Sequence, residues 1–330
     1  MKAITYSAFG PAADVLHLTE LATPEPGAGE VRVRLSASGV NPSDIRARAG
    51  GRPGVAKPPF DLIIPHSDGA GVIDAVGKGV PTERLGERVW IWNGAWKRAF
   101  GTAAEHIVLP KDQAVPLPDS ASFEDGAVLG IPGLTATHVV LGDGPVEGHT
   151  VLVSGGAGSV GHLAVQIAAA SGARVIATAG AGAGIAAAKL AGADAVFDYR
   201  APDLADQIME ATGGQGIDRI IEVEFGQNIA TNTAVIKENG RLIAYGSAKD
   251  MTPQLPFYPL MFKAVRMELA LIYLLTPEQR QAATGNLMAL LERGALVIRI
   301  AEIFPLGECA AAHDLVASGA RAGAVLLDCS

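Results

Sequence analysis

The sequence predicts an α/β chain in two parts: a strand-rich first part of barrel or sandwich type, then a doubly wound parallel sheet. Three observations predict it. At 330 residues the chain exceeds one typical domain. Residues 1–122 hold short strand patterns separated by Gly and Pro. From residue 150 onward, strand and helix patterns alternate at the spacing of βαβ units.

The first part reads as strands at Lys2–Tyr6, Leu16–Leu21, Glu30–Ser38, Gly69–Val76, Arg88–Trp92 and Ala103–Leu109. In the third of these, Val31, Val33 and Leu35 alternate with Arg32, Arg34 and Ser36, the period of a half-buried strand. Pro24-Glu25-Pro26-Gly27 is a turn signal. Residues 50–59, rich in Gly and Pro, read as a mobile loop over a site.

Residues 150–178 organise the second part. Val151-Leu152-Val153 is a short buried strand, glycines follow at 155, 156, 158 and 161, and Val160, Leu163, Ala164, Ile167 and Ala168 recur at helical spacing. Gly172 ends the helix and Arg174–Thr178 is the next strand. Gly156-x-Gly158-x-x-Gly161 thus stands between a strand and the helix it opens. There the chain must turn tightly, approach a pyrophosphate and pack helix on strand. The helix start, Ser159-Val160-Gly161, offers N–H groups and a positive dipole end to phosphate. Helices at 183–191, 203–212, 227–238 and 257–264 then alternate with strands Ala195–Asp198, Asp218–Val223, Arg241–Tyr245 and Met267–Tyr273. A helix at 277–293, a strand at 299–304, a helix at 306–318 and a strand at 322–327 close the chain. The expected domains are 1–122, 123–265 and 266–330, the last carrying a late sheet strand and a return to the first domain.

Net charge is −8, which argues against a general nucleic-acid or anionic-membrane surface. The most apolar late run, Leu269–Leu275, is far too short for a membrane span. The N-terminus lacks a signal-peptide pattern, and the two cysteines, Cys309 and Cys329, form no framework, so a cytoplasmic location is expected.

The segments GVNPSDIRARAG (39–50), IPHSDGAGVIDAVGKGV (64–80), GERVW (86–90), AEHIV (104–108), PGLTA (132–136) and SGGAGSVGHLAVQIA (154–168) resemble, in this order, the medium-chain dehydrogenases/reductases. The resemblance is strongest to their zinc-independent quinone oxidoreductase branch, the zeta-crystallin-like proteins, and covers essentially the whole chain. It implies a GroES-like barrel, a Rossmann domain and a homodimer sharing a sheet. It implies NADPH as cofactor, with NADH possible, and hydride transfer to a quinone or α,β-unsaturated carbonyl. The alternatives are an enoyl or alkenal reductase with a narrow substrate, or a low-turnover NADPH-binding sensor.

Zinc-dependent relatives would carry a cysteine at Asn41 and a histidine at Ser67, and no cysteine precedes Cys309 to form their four-cysteine structural lobe, so no zinc and no metal site is expected, and the dispersed histidines show no i,i+4 ligand spacing. Asn41 and Asp44 match the family's GVNxxD motif. Asn41 is the expected polar contact beside nicotinamide or substrate, and Asp44 suits either a helix cap or a ligand contact. His66 reads either as a satisfied, partly buried histidine or as a proton donor. Arg46 and Arg52, where relatives often carry tyrosines, fit either an anionic substrate or solvent. Trp90 fits a core, while Trp92 and Trp96 are candidate walls for a flat substrate. Thr135 matches the family's nicotinamide-side threonine. Thr178 ends the second strand of the nucleotide fold without an acid, which removes repulsion of a 2′-phosphate. Tyr199, Arg200 and Arg321 are the expected contacts to that phosphate, and Tyr245-Gly246-Ser247 ends a strand at the expected ligand cleft.

Overall fold

The computed structural model describes residues 1–51 and 54–330. Fifteen strands run in chain order: β1 (Lys2–Thr5), β2 (His17–Glu20), β3 (Glu30–Val40), β4 (Asp68–Val76), β5 (Arg88–Ile91), β6 (His106–Pro110), β7 (Ala114–Pro116), β8 (Thr150–Val153), β9 (Arg174–Ala179), β10 (Ala195–Asp198), β11 (Ile217–Glu222), β12 (Ile236–Ala244), β13 (Arg266–Leu269), β14 (Ile300–Pro305) and β15 (Ala324–Asp328). The chain divides into two compact units, one of residues 1–131 with 298–330 and one of residues 132–297.

The first unit is the GroES-like part. Its main sheet has the order β14-β15-β3-β4-β5-β7, with β6 also paired to β3. The long β3 is its spine. Val31, Val33 and Leu35 are fully buried and Arg34 points outward, as the alternation predicts. From Ala37 to Val40 every residue is buried, because β15 returns antiparallel along this stretch and covers it. Ile4, Ile64, Ile73, Ile107, Val325 and Leu327 complete one continuous core. The C-terminal strand therefore belongs to the first unit.

The second unit holds a parallel sheet in the order β10-β9-β8-β11-β12-β13. The order reverses between β8 and β11, the topological switch point of a Rossmann sheet, where ligands bind at the carboxyl ends of the strands. Val151, Val153, Ile176, Ile220 and Ile221 lie on these central strands with essentially no exposure, as strands covered on both faces require.

The structure corrects three sequence-based boundaries. The helix expected over 227–238 is Phe225–Val235, and β12 begins directly at Ile236. Val235 and Ile236 suit a helix face and a buried strand equally, so periodicity could not separate them. The strand expected over Met267–Tyr273 ends at Leu269, and a 3₁₀ turn takes Ile272–Leu274. The helix Leu134–Leu141, buried over most of its length, carries no amphipathic signal and was not expected.

Candidate functional site

The second unit builds its site at the switch point. Ser154 leaves β8 and enters the glycine turn, where Gly155 takes φ +71. Gly156 N–H donates to the Thr178 carbonyl at 2.8 Å, and Gly155 N–H to Thr178 Oγ1 at 3.3 Å. Thr178 is itself buried, and its side chain and carbonyl buckle the turn to β9.

The three motif glycines have different reasons. A Cβ on Gly161 would stand 2.1 Å from the Gly155 carbonyl oxygen, and one on Gly156 would stand 2.9 Å from Ala177 Cβ. A Cβ on Gly158 would meet only the Gly155 carbonyl, at 3.4 Å. Protein packing therefore demands glycine at 156 and 161, whereas the space beside Gly158 is open to a ligand. Gly158 is also the N-cap of the helix Ser159–Ala170 and, as glycine, brings no capping side chain. The dipole of a helix beginning favours an anion, here at Ser159, Val160 and Gly161. This open cradle fits a pyrophosphate.

Glu222, at the end of β11, holds the switch point together. Its carboxylate accepts from Ser154 Oγ (2.8 Å), Asn232 Nδ2 (2.8 Å), Asn228 Nδ2 (2.9 Å) and Glu224 N–H (2.5 Å). It is fully buried. Four donors offset the cost of burying the charge and fix the end of β8, the end of β11 and the helix Phe225–Val235 in one arrangement. The sequence showed only two acids at i,i+2, without their partners.

The segment Tyr245-Gly246-Ser247 is stitched to the same edge. Tyr245 N–H donates to the Glu222 carbonyl at 3.0 Å, Gly246 lies against Val223, and Ser247 Oγ accepts from Gly226 N–H at 2.9 Å. Burial, with Glu222 nearby, pushes the Tyr245 phenol well above its ordinary range, so it stays a neutral hydroxyl. Thr135 is buried in the helix Leu134–Leu141.

Beyond β9, the half-exposed Tyr199 lies near Gly180 and between two cations, Arg200 at 5.5 Å and Lys249 at 5.9 Å from the ring centroid. Arg200 is already engaged. Its Nε and Nη2 donate to the two Asp198 oxygens at 2.9 and 2.8 Å, which lowers the Asp198 pKa. Lys249, exposed and not anticipated from the sequence, is the cation beside Tyr199 whose ammonium is not tied to a carboxylate by a salt bridge among the described residues. Arg321 belongs to the first unit, where its guanidinium donates to the Gly323 carbonyl at 2.6 Å before β15. Burial lowers its pKa. That bond closes a turn before β15.

In the first unit, Asn41 ends β3's extension and opens the short helix Pro42–Arg48. Its Nδ2 donates to Asp68 Oδ2 at 2.7 Å, and its N–H donates to Asp44 Oδ2 at 2.8 Å. Asp44 thus closes a capping box, the first of its two expected roles. Asp68 is fully buried, and desolvation raises its pKa well above the carboxylate range. Sequence reasoning passed over Asp68, which sits 27 residues from Asn41. Arg46 is exposed on the helix, and Arg52 lies outside the described residues. Trp90 is fully buried, as expected of a core residue. Trp92 is tied by Nε1 to the Asp112 carbonyl at 3.1 Å, and Trp96 lies near Lys97.

His66 is fully buried, with φ +75. Its Nδ1 is 3.0 Å from Ser38 Oγ, and its Nε2 is 2.9 Å from Nε2 of His313. Burial, reinforced by His313, holds its pKa well below the usual imidazole value. A neutral, enclosed ring with both nitrogens engaged is not placed to donate a proton to a substrate, which corrects that expectation.

The sequence matches the family described as alcohol dehydrogenase GroES-like domain over residues 27–119, and that described as zinc-binding dehydrogenase over residues 159–291. The quinone oxidoreductase of Rattus norvegicus is 31% identical, over 99% of this chain and 97% of that protein. Among solved structures, an NAD-dependent alcohol dehydrogenase superposes with a TM-score of 0.87 at 30% identity, covering 99% of both chains. The Escherichia coli quinone oxidoreductase complexed with NADPH gives a TM-score of 0.87 at 26% identity, covering 99% of this chain and all of that one (100%).

Proposed function

The chain belongs to the quinone oxidoreductase branch of the medium-chain dehydrogenases/reductases, and we propose that it uses NADPH to reduce a quinone or an α,β-unsaturated carbonyl. The observation that carries this reading is the open space at Gly158 beside a helix start, at the switch point of a parallel sheet. Ser159, Val160 and Gly161 would bind the pyrophosphate through their amides. Tyr199 and Lys249 would hold the 2′-phosphate, since β9 ends at Thr178-Ala179 with no acid to select an unphosphorylated ribose and Arg200 neutralises Asp198. NADPH, when bound, supplies the hydride.

The protein's own part is to orient and to stabilise charge. As hydride arrives, negative charge develops on the substrate oxygen and needs a donor. Asn41 is that donor. Its amide carries two N–H groups, and the bond from one of them to Asp68 aims the other. No catalytic zinc takes part, because Asn41 and Ser67 stand where zinc-dependent relatives place Cys and His. His66 is sealed, so the proton that completes reduction comes from solvent.

The experiment is steady-state kinetics of Asn41→Ala. Loss of one such donor is expected to lower kcat about a hundredfold while the Kd of NADPH stays within twofold. An unchanged kcat, or a parallel loss of cofactor binding, would remove Asn41 from this role.

The protein acts as a homodimer built on β13. This strand is one of the two edges of the parallel sheet. Leu269 on it is 75% exposed, and Phe257, Tyr258, Met261 and Phe262 expose a further apolar surface on the preceding helix. An uncovered edge strand beside such a patch is a site for pairing with another copy. Sedimentation equilibrium should give twice the chain mass of 33.8 kDa. For Leu269→Lys it should give the single mass. A monomeric wild type would refute the dimer.

A further inference from the structure

Cys309 and His313 stand one turn apart on the helix Cys309–Ser318, so both point to one face. That face meets His66, which precedes β4. His66 Nε2 lies 2.9 Å from His313 Nε2 and 3.9 Å from Cys309 Sγ, and all three ligand atoms lie within 4.8 Å of one another. All three residues are essentially without solvent exposure.

We propose that His66, Cys309 and His313 form a structural site for one soft d¹⁰ metal ion, Cu(I) or Zn(II), separate from the reductase chemistry. Two imidazole nitrogens and a thiolate are the donors such ions select. Bond lengths of about 2.0 Å to nitrogen and 2.3 Å to sulfur require N–N separations of about 3.3–3.5 Å and N–S separations of about 3.5–3.7 Å. The observed 2.9 and 3.9 Å reach these values with shifts of a few tenths of an ångström.

The surroundings fit a ligand histidine. Thr102 Oγ1 donates to the Asp68 carbonyl, which directs the Ser38 hydroxyl proton to Thr102 Oγ1 (2.9 Å) or to that carbonyl and leaves Ser38 Oγ to accept from His66 Nδ1 at 3.0 Å. Such a bond fixes the tautomer with the Nε2 lone pair toward the cluster. His313 Nδ1 is buried with no hydrogen-bond partner among the described residues.

Binding is balanced as follows. The metal–sulfur bond forms as the Cys309 S–H bond breaks, and the proton passes to solvent. His313 Nε2 gives its lone pair to the metal, and its ring proton moves to Nδ1. No oxidation state changes. With Cu(I) the metal–thiolate unit is neutral, and with Zn(II) it carries one positive charge that a fourth ligand would moderate. The ion would clamp the helix Cys309–Ser318 to the loop before β4. Because the cluster is sealed, loading accompanies folding.

The test grows the full-length protein in medium supplemented with zinc or with copper, washes it with EDTA under anaerobic conditions, and measures bound metal by mass spectrometry. Wild type should retain about one ion per chain, and Cys309→Ala and His313→Gln less than about a tenth of that. Cys329→Ala, which removes the other buried cysteine, should load like wild type. The zinc and copper arms decide which ion is held. X-ray absorption of the loaded wild type should show one sulfur and two nitrogen neighbours, which decides the matter even if a variant does not fold. Wild type with less than a tenth of an ion, equal loading in the ligand variants, or a first shell without sulfur would overturn the proposal.

Discussion

Gly158→Val leaves the protein folded and weakens NADPH binding at least tenfold, about 1.4 kcal/mol. The backbone at Gly158 has φ −74 and ψ 167, an extended conformation that valine adopts without strain. The only protein atom near its added Cβ is the Gly155 carbonyl oxygen at 3.4 Å, an ordinary contact. The branched side chain instead fills the space in which a pyrophosphate must approach the helix start. Gly161→Ala is the internal contrast. Its Cβ would lie 2.1 Å from one backbone atom and 2.8 Å from another, so helix and turn must separate. Overpacking of this kind costs about 1–3 kcal/mol or more, and stability and binding fall together. Urea unfolding and fluorescence titration with NADPH distinguish the two. Equal destabilisation by both variants, or unimpaired binding in Gly158→Val, would mean that the turn serves packing alone.

Glu222→Ala should destabilise the protein by about 2–5 kcal/mol, because Ser154 and Asn232 would remain buried as donors without an acceptor. Glu222→Gln keeps the shape and one acceptor oxygen and should cost less. The loss is read as a lower urea midpoint at unchanged slope. Since Glu222 also sets the position of Ser154, any Glu222→Ala protein that remains folded should bind NADPH more weakly. A midpoint within error of wild type would show that the four hydrogen bonds contribute nothing net.

Much of the fold was legible because its signals are local. Val31, Val33 and Leu35 alternate within one strand, and the glycine turn, its strand and its helix fit within thirty residues. The organising polar groups were not legible, because their partners are remote in sequence. Asp68 is recognised only once β3 and β4 pair and bring it to Asn41. Glu222 needs Ser154, 68 residues earlier, to show its role. His66 lies 247 residues from His313, and Cys309-x-x-x-His313 gains a third donor only once the fold brings His66 to that helix face. Arg200 and Arg321 looked like free cations until Asp198 and the Gly323 carbonyl appeared beside them. Lys249 is brought near Tyr199 only by the folded edge of the sheet.

The central claim is that this scaffold transfers hydride from NADPH to an electron-poor acceptor. Its most direct test is the initial rate of NADPH oxidation by the purified protein, followed by absorbance with 9,10-phenanthrenequinone and, separately, methyl vinyl ketone. NADH is run in parallel. The account predicts saturable turnover with at least one of these acceptors and a kcat/KM at least tenfold higher with NADPH than with NADH, the worth of one charge-assisted contact. NADPH binding without turnover across both acceptors, or a preference for NADH, would contradict it.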